Sequence, residues 1–481
     1  MKTNVSSDSI MKTTQQGRRG FLKSASIGAL TLTSILNGCR NKNTSTPTSK
    51  GTSLDSPKGK MTYRTDPHTG EKVSLLGFGM MKLPTQNTDS PSDSNAPIDQ
   101  ERVNQLVDYA LDHGVNLYAT SPAYCNGQSE TATGNALSRH PRNSYLLSTQ
   151  LSNFNPATWS RKASQEMFRK SLKCLQTEYV DYLFLHEVGM GDEPLKVFNR
   201  RYIENGILDW LVEQRKKGII KHLGFSFHGD ISLFDLLLQW HDEGKYHFDC
   251  VLIELNYLEW DYANEINPRN TDARYLYGEL EKRQIPAFVM EPLLGGCLAS
   301  LPQSVAMDLK RKDYQKSITS WAFRYAGTRS GILSVLSDLT YMEQLKDALL
   351  SYCPLVPLSE SEMRFLHKDI AEEIVGCEAI PCIDCKYCMP CPYGLDIPAI
   401  FTHYNKMKNE GRIPVFSQDK DYARYRREFL IGYNRSVPSL RQADHCIGCG
   451  VCVGHCPQRI AIPQEMKKID RFVEKLKQGM S

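Results

Sequence analysis

Cys382-Ile-Asp-Cys385-Lys-Tyr-Cys388-Met-Pro-Cys391-Pro392 stands near the C-terminus, and Cys446-Ile-Gly-Cys449-Gly-Val-Cys452-Val-Gly-His-Cys456-Pro457 echoes it. Each run holds four cysteines at short spacing and closes on a proline. Cysteines two residues apart on a tight loop can set three thiolates on one face of a four-iron cluster. Zinc ribbons and disulfides also use paired cysteines. Zinc takes four ligands per site, whereas each run here offers a third and a fourth cysteine close by, so iron fits better. Zinc and disulfides remain the competing readings.

The paired runs resemble the two-cluster ferredoxins. That resemblance implies two [4Fe-4S] clusters, with the fourth cysteine of each run ligating the cluster of the other. The implied sets are Cys382, Cys385, Cys388 with Cys456, and Cys446, Cys449, Cys452 with Cys391. The first run departs from the pattern, since only two residues separate Cys388 from Cys391. The small α+β ferredoxin-like module is expected over 377–470, followed by a tail at 471–481. The stretch between the runs is longer than in a minimal ferredoxin. Its patterns over 397–407 and 421–432 read as helices that pack the module onto the preceding domain. Six further cysteines (Cys125, Cys174, Cys250, Cys297, Cys353, Cys377) are scattered, as buried small apolar residues usually are.

Upstream, over 62–352, short apolar runs alternate with longer amphipathic ones. The apolar runs cover 75–83, 116–121, 144–151, 180–187, 219–227, 248–257, 285–293 and 331–339. Helical patterns fall at 102–113, 129–139, 162–176, 203–217 and 340–350, with Gly114 and Gly218 at positions suited to helix C-caps. Eight strand-helix repeats predict a (β/α)8 TIM barrel. Nearly continuous apolar strands suit burial on both faces. A doubly wound open sheet is the runner-up, weakened because no G-x-G-x-x-G follows the first run. A helical linker is expected over 353–376.

Chemistry in such barrels sits at the C-terminal strand ends. The polar residues there are Tyr124, Gln150, His186, Glu187, Ser226, His228, Glu254, Asn256, Glu291 and Asp338. They form a ring around one mouth, with Ser226, Asn256 and Glu291 as candidates to face a bound cofactor. A hydrogen-bonded rim without chemistry is the bland reading.

Four stretches carry a further likeness: Leu75-Leu-Gly-Phe-Gly-Met-Met-Lys-Leu, Gly114-Val-Asn-Leu-Tyr-Ala-Thr-Ser-Pro-Ala-Tyr124 with Glu130, Asp181-Tyr-Leu-Phe-Leu-His186, and Gly224-Phe-Ser-Phe-His. They resemble the aldo/keto reductases. Glu291-Pro-Leu-Leu-Gly-Gly296 and the cysteine runs resemble the bacterial branch that fuses such a barrel to a ferredoxin domain. The resemblance implies carbonyl reduction with NADPH, a tyrosine acid at Tyr124 and an orienting histidine at His186. It also implies an aspartate and a lysine that lower the tyrosine's pKa, but Ala119 and Gln150 stand there. Asp338 replaces a glycine at a mouth that should receive phosphates, and Ala348 replaces an asparagine that contacts adenine. Neutral Gln150 supplies no charge to a phenolate, and an anion at Asp338 repels a pyrophosphate. NADP(H) is therefore a doubtful cofactor.

At the other end, Gly17-Arg18-Arg19-Gly20-Phe21-Leu22-Lys23 precedes a short apolar run at 25–36. Twin arginines before such a run read as a twin-arginine export signal. That route carries folded proteins, which suits a chain loaded with clusters before export. Leu36-Asn37-Gly38-Cys39 resembles a lipoprotein cleavage box, so 1–39 reads as a signal, and membrane contact is expected only through a lipid on Cys39. The destination is then the periplasm or a membrane-anchored lipoprotein. Residues 40–61 read as a flexible tether rich in Ser and Thr. Removing 1–38 takes away Lys2, Lys12, Arg18, Arg19, Lys23 and Asp8 and leaves basic and acidic residues in balance, which does not favour nucleic acid.

Three functions follow as expectations. The first is an exported redox enzyme with a degraded tetrad, whose clusters exchange electrons with a protein partner and a small-molecule substrate. The second is an NADPH-dependent carbonyl reductase with a weakened tetrad. The third is a non-catalytic iron–sulfur electron carrier or assembly partner.

Overall fold

Strands that line the inside of a closed barrel are covered on both sides, by side chains within and helices without. The apolar runs meet that demand. The computed structural model describes residues 56–87, 96–191, 193–267, 270–375, 379–415 and 418–479. The twin arginines, Cys39 and Cys377 lie outside the described residues. A hairpin of β1 (Tyr63–Thr65) and β2 (Lys72–Ser74) comes first. The barrel strands are β3 (Leu76–Gly79), β4 (Leu117–Ala119), β5 (Leu146–Leu151), β6 (Val180–Val188), β7 (Ile220–Phe227), β8 (Cys250–Glu254), β9 (Ala287–Met290) and β10 (Ile332–Asp338). Each pairs in parallel with the next, and β10 closes the ring onto β3. The eight expected runs are these eight strands, seven of them trimmed at their ends and β6 extended by one residue to Val188.

Helices between strands follow from capping and spacing. In Gln100–Asp112, the Asp99 side chain accepts from the Arg102 amide at the start. Val103, Leu106, Val107 and Ala110 then repeat at helical spacing and are buried. Gly114, at φ +91°, turns the chain back toward β4. The hairpin plugs the end of the barrel opposite the mouth, where the Tyr182 hydroxyl donates to Glu71 at 2.9 Å and stacks on His222.

Three expectations on boundaries are corrected. The tether does not run to 61, because Ser56 and Met61 are buried. The segment 353–376 is helical as expected, over Glu360–Phe365, Leu366–Ile370 and Ala371–Val375, but it packs on the barrel: Leu366, Ile370 and Ala371 join the barrel's apolar core. Arg324 pairs with Glu362 there, and the Tyr325 hydroxyl bonds His367 at 2.6 Å. The tail at 471–481 is instead largely the second half of the helix Ile462–Gln478, because Met466, Ile469, Val473 and Leu476 repeat on one buried face.

The module has its own core. Helices Ile397–Asn409, Tyr422–Ser436 and Ile462–Gln478 pack Ile400, Phe401, Phe429 and Val473 around the two cysteine loops. Among the described residues the loops form no strand ladder. Barrel and module belong to one unit, Ser53–Ser481. Among the described residues no helix is long and apolar enough to cross a membrane.

Candidate active site

Tyr124 opens a tight turn just beyond β4, where Cys125 and Asn126 adopt left-handed φ of 50° and 52°. Cys125 Sγ donates to the Met81 carbonyl at 3.2 Å and Ser129 Oγ to the Met80 carbonyl at 2.7 Å, which fixes the turn against β3. Gln150, on β5, donates its amide nitrogen to the Tyr124 hydroxyl at 2.7 Å. The phenol therefore keeps its own proton available. Burial, with Asp338, Glu187 and Glu291 nearby, holds the Tyr124 pKa well above its ordinary value. No cation offsets this at position 150.

His186 ends the regular part of β6 and meets Tyr124 edge-on, with ring centroids 5.8 Å apart. Its Nδ1 lies 2.6 Å from Ser152 Oγ. Burial, with His228 and Arg201 beside it, depresses its pKa well below the usual range, so the ring is neutral.

Carboxylates crowd the rest of the mouth. Glu187, within the irregular end of β6, and Glu291, just past β9, have φ of 53° each, a conformation residues other than glycine rarely take. Glu254 is 3.1 Å from His228 Nδ1, and Asn270 donates to both Glu254 and Glu259. Burial raises Glu254 to about 7 and Glu259 well above the carboxylate range. Burial likewise raises Glu291 to about 7, although Lys82 opposes the shift. Asp338 accepts from the Met81 amide at 3.0 Å, and a Cβ on Gly79 would lie 2.4 Å from its Oδ1. Ser226 lines the mouth, but its hydroxyl accepts from the Glu187 amide and secures the irregular end of β6. Asn256, expected to face a cofactor, is fully buried and caps its own loop, binding the Leu258 and Glu259 amides. It does not line the mouth.

The first cysteine loop covers this mouth. Ile383, Cys385, Tyr387 and Pro457 line the same chamber as Tyr124, Gln150 and His186. Lys82 Nζ donates to the Ile383 carbonyl at 3.1 Å and pairs with Asp384 at 3.8 Å. Although burial alone would lower it, Asp384, Glu291 and Asp338 hold the Lys82 pKa above its ordinary value. Gly295 makes the close approach possible: its φ is +62°, and a Cβ there would lie 2.1 Å from the Ile383 Cα. Asn267 Nδ2 donates to the Pro457 carbonyl at 2.7 Å. Phe154 bridges His186 and Tyr387, with centroid distances of 4.9 and 6.2 Å. Sequence reading missed Lys82, Tyr387 and Gly295 as mouth residues. Each lay inside a quoted motif, but nothing local showed that the motifs would meet.

The eight cysteines fall into two groups. Cys382, Cys385, Cys388 and Cys456 line one small cavity with Ile397, Phe401 and Gln458. Cys391, Cys446 and Cys449 surround Cys452. Among the described residues no three such side chains converge as they would on a single ion. A cluster spreads its thiolates around a wider body than one ion does. The Gln458 amide is 2 % exposed, and neither its Nε2 nor its Oε1 has a partner. Backbone amides of Gln458, Arg459 and Ile460 point at the Cys456 sulfur. A buried orphan amide and converging N–H donors suit a polyanionic sulfur-rich group. The residues present fit an iron–sulfur cluster.

Residues 381–461 match the 4Fe-4S dicluster domain. Over 172 residues the chain is 31% identical to the D-arabinose 1-dehydrogenase of Saccharomyces cerevisiae, covering 34% of this chain and 45% of that protein. It is 28% identical over 193 residues to Protein tas of Escherichia coli, covering 34% and 52%. The chain thus spans about half the length of the curated relatives it matches. An aldo-keto reductase from Bacillus halodurans, in its holo form, aligns over 64% of this chain and 96% of its own at 20% identity, TM-score 0.49. One from Klebsiella pneumoniae in complex with NADPH aligns over 65% and 96% at 18% identity, TM-score 0.48. Residues 75–368, more than half of the sequence, match the aldo/keto reductase model, and the chain belongs to the aldo/keto reductase family.

Proposed function

We propose that the protein is a redox enzyme that exchanges electrons with a small molecule over Tyr124 and His186 by way of two [4Fe-4S] clusters. One observation carries this reading: Cys385 and Tyr387 share a chamber wall with Tyr124 and His186. Cys382, Cys385, Cys388 and Cys456 would hold one cluster, and Cys391, Cys446, Cys449 and Cys452 the other. Bound there, the clusters supply electrons one at a time.

Reducing a carbonyl to an alcohol takes two electrons and two protons. Tyr124 presents one proton, since Gln150 holds its oxygen from behind and leaves the hydrogen free. Neutral His186, set by Ser152, orients the polar bond. The second proton comes from Glu254, which lines the chamber and is backed by His228 and Glu259. Cys449 is exposed, and its loop is the side we assign to an electron-carrier protein that would supply or remove the electrons.

NADP(H) suits this mouth poorly. The cap occupies it, and the cleft behind β9 and β10, where such barrels often hold phosphate, sets Glu291, Asp338 and Asp347 against one lysine, Lys82, which Ile383 and Asp384 already engage. The test is oxidation of dithionite-reduced methyl viologen by an added carbonyl with cluster-loaded protein. The reading expects turnover that Tyr124→Phe abolishes. Saturable NADPH oxidation would instead establish the nicotinamide reading, and redox-active clusters with neither activity would establish a carrier.

Export by the twin-arginine route and a lipid on Cys39 belong to the same proposal. Arg18→Lys with Arg19→Lys should hold the protein inside the cell. Cys39→Ser should release it from the membrane fraction, and unchanged distribution of both variants removes this part.

A further inference from the structure

The chamber over Tyr124 measures about 80 Å³. A cleft of about 500 Å³ opens from it toward solvent. Met81, Tyr124, Cys385 and Tyr387 line both. Ligand sites generally run to about 300–1,000 Å³, so the chamber takes a functional group and the cleft takes a molecule. A ligand that reaches Tyr124 must lay its body in the cleft.

The cleft is built by both domains. The barrel contributes Leu83, Ile98, Phe154, Met190 and Val197, and the module contributes Met389 and Pro390. The charged groups are mostly occupied. Arg201 donates to the His186 carbonyl at 2.7 Å, to Asn153 Oδ1 at 3.1 Å and to the Tyr202 hydroxyl. Lys82 is held by Ile383 and Asp384. Lys386 and His455 stand along the module side. The other polar side chains, Thr85, Asn126, Asn155, Glu187 and Asp384, are outweighed by the apolar lining, so a sugar laid against it would give up water at its hydroxyls and regain fewer hydrogen bonds than it loses. At the inner end the carboxyl groups of Glu187, Glu254, Glu291 and Asp338 surround Tyr124, and no Lys or Arg among the described residues lines that chamber, so an anionic head entering it meets no counter-charge.

We propose that the cleft binds a bulky, mostly apolar molecule carrying an uncharged hydrogen-bond acceptor at its inner end, and does not bind sugars. This rests on the mouth being the substrate site, but not on electrons arriving there.

Calorimetry on oxidised, cluster-loaded protein without any electron donor tests it. The probes are 2-acetylnaphthalene, 2-naphthoate and D-arabinose. The ketone should bind saturably at one site, the carboxylate at least about tenfold more weakly, and the sugar not at all. Val197→Trp and Ile98→Trp fill the cleft from two different segments. Each should weaken the ketone at least about tenfold while the cluster absorbance stays unchanged. D-arabinose binding as tightly as the ketone, or ketone binding indifferent to both tryptophans, overturns the proposal. Ketone binding without dye-linked turnover removes the electron-transfer reading and leaves this one standing. Dye-linked turnover of a sugar without ketone binding does the reverse.

Discussion

Gln150 donates to the Tyr124 hydroxyl at 2.7 Å, while its own Oε1 is buried without a partner. The contact steadies the phenol but gives it no positive neighbour. General-acid help of about 10²–10⁴-fold depends on a tuned pKa. Gln150→Lys should therefore lower the Tyr124 pKa, read as a phenolate absorbance change that disappears when Tyr124→Phe is added. NADPH-linked reduction should stay at background, because Ala119, Asp338 and the cap are unchanged. A large gain in NADPH oxidation would show that the mouth still accepts the nucleotide.

Gly295→Ala puts a methyl group into the Ile383 backbone at a position already left-handed. The module must then lift from the barrel. Urea unfolding should show a loss of about 1–3 kcal/mol, and dye-linked turnover should fall while iron content holds. Full turnover in the alanine variant would show that the cap is not needed over the site.

Gln458→Leu removes a buried, unpartnered amide that lines the same cavity as the first cysteine group. Hydrogen bonds to cluster sulfur raise the reduction potential. One cluster should therefore become harder to reduce in an EPR-monitored titration, with the other unmoved. Two unshifted potentials would place the amide's partner elsewhere.

Cys385→Ser should remove the absorbance of one cluster while the barrel keeps its far-UV circular dichroism. Cys385 borders the barrel core beside Ile383 without forming part of its strands, and most of the remaining loop cysteines pack in the module's own core, so the barrel does not depend on this thiol to fold. Unchanged iron would refute the ligand assignment.

Glu254 has a folded pKa of about 7, against an ordinary carboxylate value near 4.5. The folded protein binds this proton more tightly than the unfolded chain does. Its stability contribution is thus present below about pH 4.5 and is lost as pH rises through about 7, by no more than about 3 kcal/mol. Urea midpoints taken between pH 5 and 8 should decline, and Glu254→Gln should flatten that decline. An identical slope in the variant would assign the loss to other groups.

The sequence made the barrel legible because burial on both faces leaves unbroken apolar runs, and it made the cysteine loops legible because cluster geometry demands close spacing. Tyr124 and His186 were readable from motifs that surround them. Lys82, Gly295 and Tyr387 were not readable as neighbours, because their roles arise only where loops distant in sequence touch. Asn256 was misplaced for a related reason. A polar residue at a strand end serves equally as a rim ligand or as a loop cap, and only the position of the Glu259 amide decides which.

The loop that carries Cys385 is also the roof over Tyr124, so whatever reshapes that loop reaches the pocket. A chain made in an iron-starved cell would keep its barrel yet lack a finished pocket. On the proposed function such a polypeptide would be inert, not a stray reductase, and comparing ketone binding before and after cluster reconstitution would reveal that dependence directly.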